Sequence, residues 1–569
     1  MLGKRPAQRG LFDADNRYLD FVGRDTFYGF LALNRDRLFS DEEFASLYCA
    51  DNGRNSVPPS VLAVALLLQA HDKVSDEEAT RRARLDLSWK VALGVEVESQ
   101  PFAKSTLQLF RGQLIPHDKA REIFLASLRE AKKCGFVKRG KKKLVVDTTH
   151  IFGKGAVRDT YNLLADGIVK LGRAMAAAGG EEVCDWAEKH DLSRYFSSSI
   201  KGTAEIDWSD REARKAFLTG IVGDAKRLLG VAKEVIARHG GESEAARSIS
   251  LAAGLLCALL IQDIKETPDG KAEIVKGVAK DRIVSVTDPE MRHGRKSAHQ
   301  RFDGHKATVA ADAETDLITD VDILPGNAHD SRNVVEVVKR SEEAVGEKVE
   351  TIIGDSAYGS GAVRQEMADS GRQVVAKVAS APHTGKFTKR DFRVDFEINR
   401  VTCPAGNACG DFAVVSARCG RRSKKEKVKR FTFDAKTCSA CPLRHKCVTG
   451  SAPRSIELHP QEQLLREARE FQHTEEFRKE YSVRVVVEHR IARLIQLGIR
   501  KSRFFGRRKT LFQVLMAAAV ANLTLIAVPP LAGMGVFAAS FVAFTVFLTL
   551  TTLQVRHEEP HHAMAWLAA

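Results

Sequence analysis

The stretch Leu144-Val145-Val146-Asp147-Thr148-Thr149-His150 is a short apolar run closed by an acid. Short runs rich in β-branched residues are typical of buried strands, so this stretch predicts a strand that ends on Asp147. The same pattern recurs in Val349-Glu350-Thr351-Ile352-Ile353-Gly354-Asp355. If the two strands are neighbours in one sheet, their carboxylates converge into a site for a hard cation. The alternative is a pair of surface strands that each stop at an Asp.

The composition predicts a multidomain protein with a polyanionic partner. The 569 residues are too many for one ordinary core, so two to four domains are expected. Lys and Arg number 88 against 73 Asp and Glu, a net charge of +15 that clusters at 138–143, 421–430 and 500–509. Such clustering favours nucleic acid as the partner over a basic protein with none. No apolar core follows the basic residues 1–9, so a cytosolic protein is expected.

The order of predicted elements indicates a mixed α/β fold. Residues 1–135 are predicted to be short helices, which fits either a helix-turn-helix-like DNA-binding domain or a plain bundle. A helical insertion follows at about 155–265, then a hairpin at 306–324 and a helix before the strand that leads to Asp355. Three strands in sequence and a fourth after a helix correspond to the ribonuclease-H-like plan.

The segment from about 380 to 460 is predicted to be a β-rich insertion with clustered cysteines. The spacing Cys438-x2-Cys441 is one that tetrahedral Zn²⁺ sites use. Because disulfides are rare in cytosolic proteins, we predict one structural Zn²⁺ site from Cys403, Cys438, Cys441 and Cys447. The alternative is a set of reduced thiols that bind no metal.

A single long helix is predicted from about residue 475 to 497. On it, Tyr481, Arg484 and Glu488 lie at spacings that share one face. Three valines precede Glu488, so we expect a half-buried carboxylate that needs a partner or a metal. Residues 526–569 form an apolar tail, within which 534–555 is long enough to span a bilayer. A buried terminal helix followed by a tail is the preferred interpretation, and no membrane partner is expected.

The chain resembles the DDE transposases of bacterial insertion sequences, in the group with a β-rich insertion before the final Glu. The resemblance spans about residues 20–525 and rests on the order and spacing of several motifs. They are the Asp147 and Asp355 strands, Asp288-Pro289-Glu290, Phe302-Asp303-Gly304-His305-Lys306, Pro325-Gly326-Asn327-Ala328-His329-Asp330, Tyr481-x2-Arg484-x3-Glu488, and the helical stretches around Pro58-Pro59 and Ser105-Thr106-Leu107-x2-Phe110-Arg111.

This resemblance implies a catalytic domain at 136–525 in which Asp147, Asp355 and Glu488 hold two Mg²⁺ (or Mn²⁺) ions. It also implies DNA contacts, which we assign to Tyr481, Arg484, Lys501 and Arg111. The family often carries a Lys seven residues after the Glu, whereas this chain has Ile495 there. Arg500 or Lys501 could supply that charge from further along.

The function implied is metal-dependent cleavage and transfer of DNA strands at the ends of an insertion sequence. The expected partners are double-stranded DNA, as terminal inverted repeats and target, and a second copy in a synaptic homodimer in the bacterial cytosol, associated with the nucleoid. Two alternatives stay open. One is a non-catalytic DNA-binding repressor derived from a transposase, and the other is a structure-specific nuclease on the same fold.

Overall fold

The computed structural model describes residues 1–569 except 7–9, 198, 240–241, 298, 380–384, 419–424 and 528–569. The fold is mixed α/β, as the sequence predicts. It divides into a helical unit, Met1–Arg139 with Glu314–Leu317 and Met516–Ala569, and a sheet unit, Gly140–Ala313 with Ile318–Leu515. The apolar stretch at 534–555 and the basic residues 421–424 lie outside the described residues.

The helical unit consists of short helices joined by brief turns. Helix α3 forms its core, because its side chains from Pro59 to Gln69 are buried. It begins at Pro59, whose fixed φ angle suits a first helical turn. Ser75 caps α4 by accepting a hydrogen bond from the Glu78 N–H. The bounds are α1 (Ala14–Val22), α2 (Phe27–Leu38), α3 (Pro59–Asp72), α4 (Asp76–Leu85), α5 (Leu87–Leu93), α6 (Lys104–Leu114) and α7 (Lys119–Lys133).

The sheet unit begins with strand β1, and the chain then forms a layer of helices. The layer has its own core, which includes Ile168, Leu171, Ile221 and Leu256. It ends in a small antiparallel hairpin, β2 with β3, that the sequence analysis did not predict. The bounds are β1 (Lys142–Phe152), α8 (Thr160–Gly179), α9 (Val183–Lys189), α10 (Arg211–Arg238), α11 (Glu244–Asp263), β2 (Ile264–Glu266) and β3 (Ala272–Ile274).

The central sheet is completed by the strands that follow this layer. Strand β5 pairs antiparallel with β1 on one side and with β6 on the other, and β4 also pairs with β5. On its other side β1 pairs parallel with β7, which pairs parallel with β8. The bounds are β4 (Arg292–Arg295), β5 (Arg301–Asp312), β6 (Ile318–Pro325), α12 (Val334–Val345), β7 (Val349–Ile353), α13 (Gly361–Asp369) and β8 (Gln373–Val375).

The next segment is rich in short strands, as its composition predicts. It contains two three-stranded sheets, one of β9 to β11 and one of β12 to β14, around a small core with Phe392, Val401, Phe431 and Ile456. The bounds are β9 (Arg393–Asp395), β10 (Arg400–Thr402), β11 (Ala408–Cys409), β12 (Phe412–Arg418), β13 (Lys425–Thr432), α14 (Ala435–Ser439), α15 (Arg444–Cys447) and β14 (Ser455–Leu458).

The remaining described helices are α16 (Glu462–Phe471), α17 (Glu475–Ser482), α18 (Val485–Gln496) and α19 (Arg507–Ala527). The prediction of one helix from 475 to 497 is wrong, because the chain makes a tight turn between α17 and α18. There the N–H groups of Val483, Arg484 and Val486 each donate to the carbonyl three residues back. The β-branched residues that follow lower the helix propensity at this point.

Two helices are long and apolar enough to cross a membrane, α11 and α19. Length and composition alone decide this test, and core helices of soluble proteins also pass it. In α19, 78% of the apolar window is buried. In α11 the buried share is 28%, and two such helices are weak evidence for a membrane segment.

Candidate active site

The register between β1 and β7 places Asp147 beside Asp355. Val145 of β1 lies opposite Ile353 of β7 in a parallel pair. Asp147 lies two residues after Val145, and Asp355 lies two residues after Ile353. The two acids are therefore at the same level of the sheet. The prediction that the strands are neighbours is confirmed. However, β1 does not end at Asp147 but continues to Phe152, because β5 pairs with it that far.

The surroundings of Asp147 disfavour its negative charge. The side chain is only 19% exposed. Burial raises the pKa of Asp147, and the nearby Asp355 carboxylate raises it too, while the Thr148 N–H and the Arg484 guanidinium partly offset these effects. A cation between the two carboxylates would remove both penalties.

Arg484 contacts both Glu488 and Asp147. One guanidinium nitrogen of Arg484 lies 3.2 Å from Asp147 Oδ2 and 3.4 Å from Glu488 Oε1, so the two oxygens are at most 6.6 Å apart. The expectation of a half-buried Glu488 is wrong, because its side chain is 56% exposed. The valine run buries Val486 and Val487 instead.

Tyr481 holds Arg484 in this position. Arg484 Nη1 donates a hydrogen bond to the Tyr481 hydroxyl over 3.0 Å. The Tyr481 ring stacks on Phe477, with the ring centroids 5.2 Å apart, and Lys377 Nζ lies 5.0 Å from the Tyr481 centroid. The site therefore combines the acids with two cationic side chains that an aromatic ring supports.

Nearby residues that the sequence analysis did not assign to the site are Tyr358, Asp330 and Lys306. Tyr358 is fully buried, and its hydroxyl has no hydrogen-bond partner among the described residues. Burial, followed by the surrounding carboxylates, raises the pKa of Tyr358 well above its ordinary value. Asp330, in contrast, is paired with Lys306 at 2.8 Å and accepts a hydrogen bond from Thr148. No local pattern in the sequence indicates that the carboxylates of these acids act on Tyr358.

The predicted DNA contacts differ in how available their side chains are. Arg111 donates two hydrogen bonds of 2.8 Å to Asp76 and is 11% exposed, so the structure argues against a DNA contact for it. Lys501 is exposed. Arg500 donates to the Thr149 hydroxyl and to the carbonyl of the next residue, which ties it to β1.

The predicted zinc ligands Cys403, Cys438, Cys441 and Cys447 line one cavity of about 30 Å³. All four are free thiols. Within the described part of the chain, no group of three or more His, Cys, Asp or Glu side chains is arranged to hold a metal ion. This finding applies to the cysteines and also to the three acids, where Arg484 lies between two of the carboxylates.

Two family models match the chain. A model described as a transposase DDE domain matches residues 402–527, and one described as a transposase domain matches residues 17–113. These two matches support an insertion-sequence DDE transposase. No curated protein and no solved structure matches this transposase. This family implies DNA as the partner and phosphoryl transfer with divalent metal ions as the reaction class.

The two matches cover different parts of the transposase. Residues 17–113 include helices α2 to α6, and residues 402–527 include most of the β-rich insertion and Glu488. Asp147 and Asp355 lie in neither range. Their assignment therefore depends on the pairing of β1 with β7 and on their electrostatic environment.

Proposed function

We propose that this transposase binds the ends of its insertion sequence and catalyses strand cleavage and strand transfer there. The observation that carries the proposal is the register that sets Asp147 beside Asp355. Glu488 supplies the third carboxylate, because it shares the Arg484 contact with Asp147. The strand order around β1 supports a ribonuclease-H-like core for this chemistry.

The three acids fit a pair of Mg²⁺ or Mn²⁺ ions. Carboxylate oxygens are the ligands that such hard cations prefer. Burial and the Asp355 carboxylate both disfavour the negative charge of Asp147, and the buried Tyr358 hydroxyl lacks a partner in the described structure. When bound, two such ions activate an attacking hydroxyl and stabilise the leaving oxygen at phosphorus. Asp147, Asp355 and Glu488 are the residues that would hold the ions.

In this proposal Arg484 contacts the acids in one state and DNA in another. Without metal, its guanidinium neutralises Asp147 and Glu488. In the complex with DNA, Arg484 would instead contact a phosphate, for which the planar guanidinium is well suited. Tyr481 and Lys377 flank the same position, and the exposed Lys501 is assigned a further phosphate contact.

The rest of the chain is assigned by position. Residues 1–135 would recognise the terminal inverted repeats, 136–525 would form the catalytic domain, and 526–569 would be a separate tail. Two equivalent ends call for two equivalent active sites, so a symmetric homodimer is proposed for the synaptic complex. The reaction would take place on nucleoid DNA in the bacterial cytosol.

The proposal is tested with labelled duplexes taken from the DNA on either side of the gene. Wild-type protein with Mg²⁺ should nick one of these duplexes and join its 3′ end to a plasmid. Asp147→Asn and Asp355→Asn should each slow cleavage by at least about 10²-fold. Both variants should bind the duplex within about twofold of wild type, because phosphate contacts dominate affinity.

Three other outcomes would contradict the proposal. Wild-type cleavage rates in either variant would exclude the metal assignment. Cleavage without joining to the plasmid would indicate a structure-specific nuclease. Tight binding with no cleavage by the wild-type protein would indicate a repressor.

A further inference from the structure

We propose that the cavity between Cys403, Cys438, Cys441 and Cys447 binds one structural Zn²⁺ ion. This inference is independent of the transposase reaction. The four thiols come from three separate segments and yet line the same cavity. The cavity is small, about 30 Å³. Four cysteines are one of the ligand sets that structural zinc sites use.

Backbone turns present the cysteines from both ends of the insertion. Cys403 follows β10, and its carbonyl accepts a hydrogen bond of 2.9 Å from Gly406, whose φ of +85° suits the turn. The Cys441 carbonyl accepts a bond of 3.1 Å from the Arg444 N–H. Cys447 is the last residue of α15. These local hydrogen bonds fix the backbone of the ligands before any metal is bound.

Two arginines line the cavity and hold the same backbone. Arg444 Nη1 donates to the Cys438 carbonyl over 3.0 Å, and Arg454 Nη1 donates to the Cys447 carbonyl over 3.2 Å. Four thiolates with one Zn²⁺ would carry a net charge of about −2. The two guanidinium groups supply the opposite charge at the edge of the site, which lowers the cost of burying it.

In the structure the thiols do not form a closed ligand set, because no three His, Cys, Asp or Glu side chains among the described residues are arranged to hold a metal ion. Zinc binding would deprotonate the thiols and turn them inward, so ligation and final ordering of the insertion would occur together. The ion would link the turn after β10 to α14 and α15. A metal staple of this kind suits a segment whose own hydrophobic core is small.

Elemental analysis of protein made with zinc supplied tests the site. Wild-type protein should contain about one Zn per chain, and Cys438→Ser and Cys441→Ser should each retain less than about a tenth of that. Cys409→Ser is the matched control, because Cys409 lies in the same insertion but its Sγ contacts the carbonyls of Asp411 and Thr432 outside the cavity. Cys257→Ser, on α11, is a second control.

A measurement on wild-type protein covers the case in which the serine variants fail to fold. Replacing zinc with Co²⁺ should produce the absorption bands of tetrahedral thiolate cobalt, and about one equivalent of Zn²⁺ should abolish them. Wild-type protein without zinc, whether its thiols are reduced or oxidised, would overturn the proposal. Retention of zinc in both the Cys438 and Cys441 variants would also overturn it.

Discussion

Replacing Arg111 with Ala tests whether this residue stabilises the fold or contacts DNA. Both terminal nitrogens of Arg111, on α6, donate to Asp76 over 2.8 Å. The two side chains are 11% and 16% exposed. Asp76 is the first residue of α4 and also accepts hydrogen bonds from Gln69 and Gln108. The pair therefore joins two helices of the helical unit.

The expected loss is about 2–3 kcal/mol of unfolding free energy. Removing one partner of a buried ion pair costs about 3–5 kcal/mol when the other charge stays unpaired. The two amide donors and the positive end of α4 continue to stabilise the Asp76 carboxylate, so the loss should fall below that range. In contrast, the Arg81–Glu78 pair is 62% and 31% exposed, and Arg81→Ala should leave the unfolding midpoint nearly unchanged.

Denaturant unfolding and DNA binding at several salt concentrations separate the two roles. If Arg111 is structural, Arg111→Ala lowers the unfolding midpoint and leaves the salt dependence of DNA binding unchanged. A residue that contacts phosphate would instead reduce the slope of log K against log salt by about 1 when it is removed. Unchanged stability together with a smaller slope would refute the structural assignment.

Two further predictions concern the sheet unit. Burial and then Arg500 lower the pKa of His150 to about 4, so its stabilising effect is present above the unfolded pKa of about 6.5 and is lost as pH falls through 4. The partial exposure of His150 reduces the expected effect. Between about pH 7 and 5, the unfolding free energy of wild-type protein, measured with urea, should fall by about 1 kcal/mol more than that of His150→Gln. Glu488→Gln should slow strand cleavage by at least about 10²-fold. The Glu480 carboxylate lies 2.5 Å from Lys143. Glu480→Gln should therefore cleave within about twofold of the wild-type rate and lose less than about 1 kcal/mol of unfolding free energy. Equal loss of cleavage in both variants would contradict the choice of Glu488.

Local patterns in the sequence were sufficient to predict much of the sheet. The alternation around β5 and β6, the helix that follows them and the apolar run of β7 each depend on neighbouring residues. The pairing of β1 with β5 depends on residues 152 to 168 positions apart, from Phe152 with Gly304 to Leu144 with Asp312. For this reason the sequence did not show that β1 extends past Asp147.

The errors at the site have the same cause. The three valines before Glu488 indicated burial, but Val486 and Val487 occupy the buried face of α18 and the Glu488 carboxylate is exposed. Arg111 was assigned to DNA from the resemblance, and no local pattern showed its pairing with Asp76, which lies on another helix. The four cysteines of the insertion were grouped by spacing alone, and the structure brings them to one cavity.

The central claim is that Asp147, Asp355 and Glu488 hold divalent metal ions together, and iron-mediated cleavage of the protein tests it most directly. With added hydrogen peroxide and ascorbate, Fe²⁺ bound at a Mg²⁺ site reduces the peroxide to hydroxide and a hydroxyl radical, which cuts the nearby backbone, and ascorbate regenerates the Fe²⁺. We predict cuts close to all three acids, suppressed by excess Mg²⁺ and lost in the Asp147→Asn, Asp355→Asn double variant. Cuts elsewhere in the chain, or cuts that persist in the double variant, would contradict the claim.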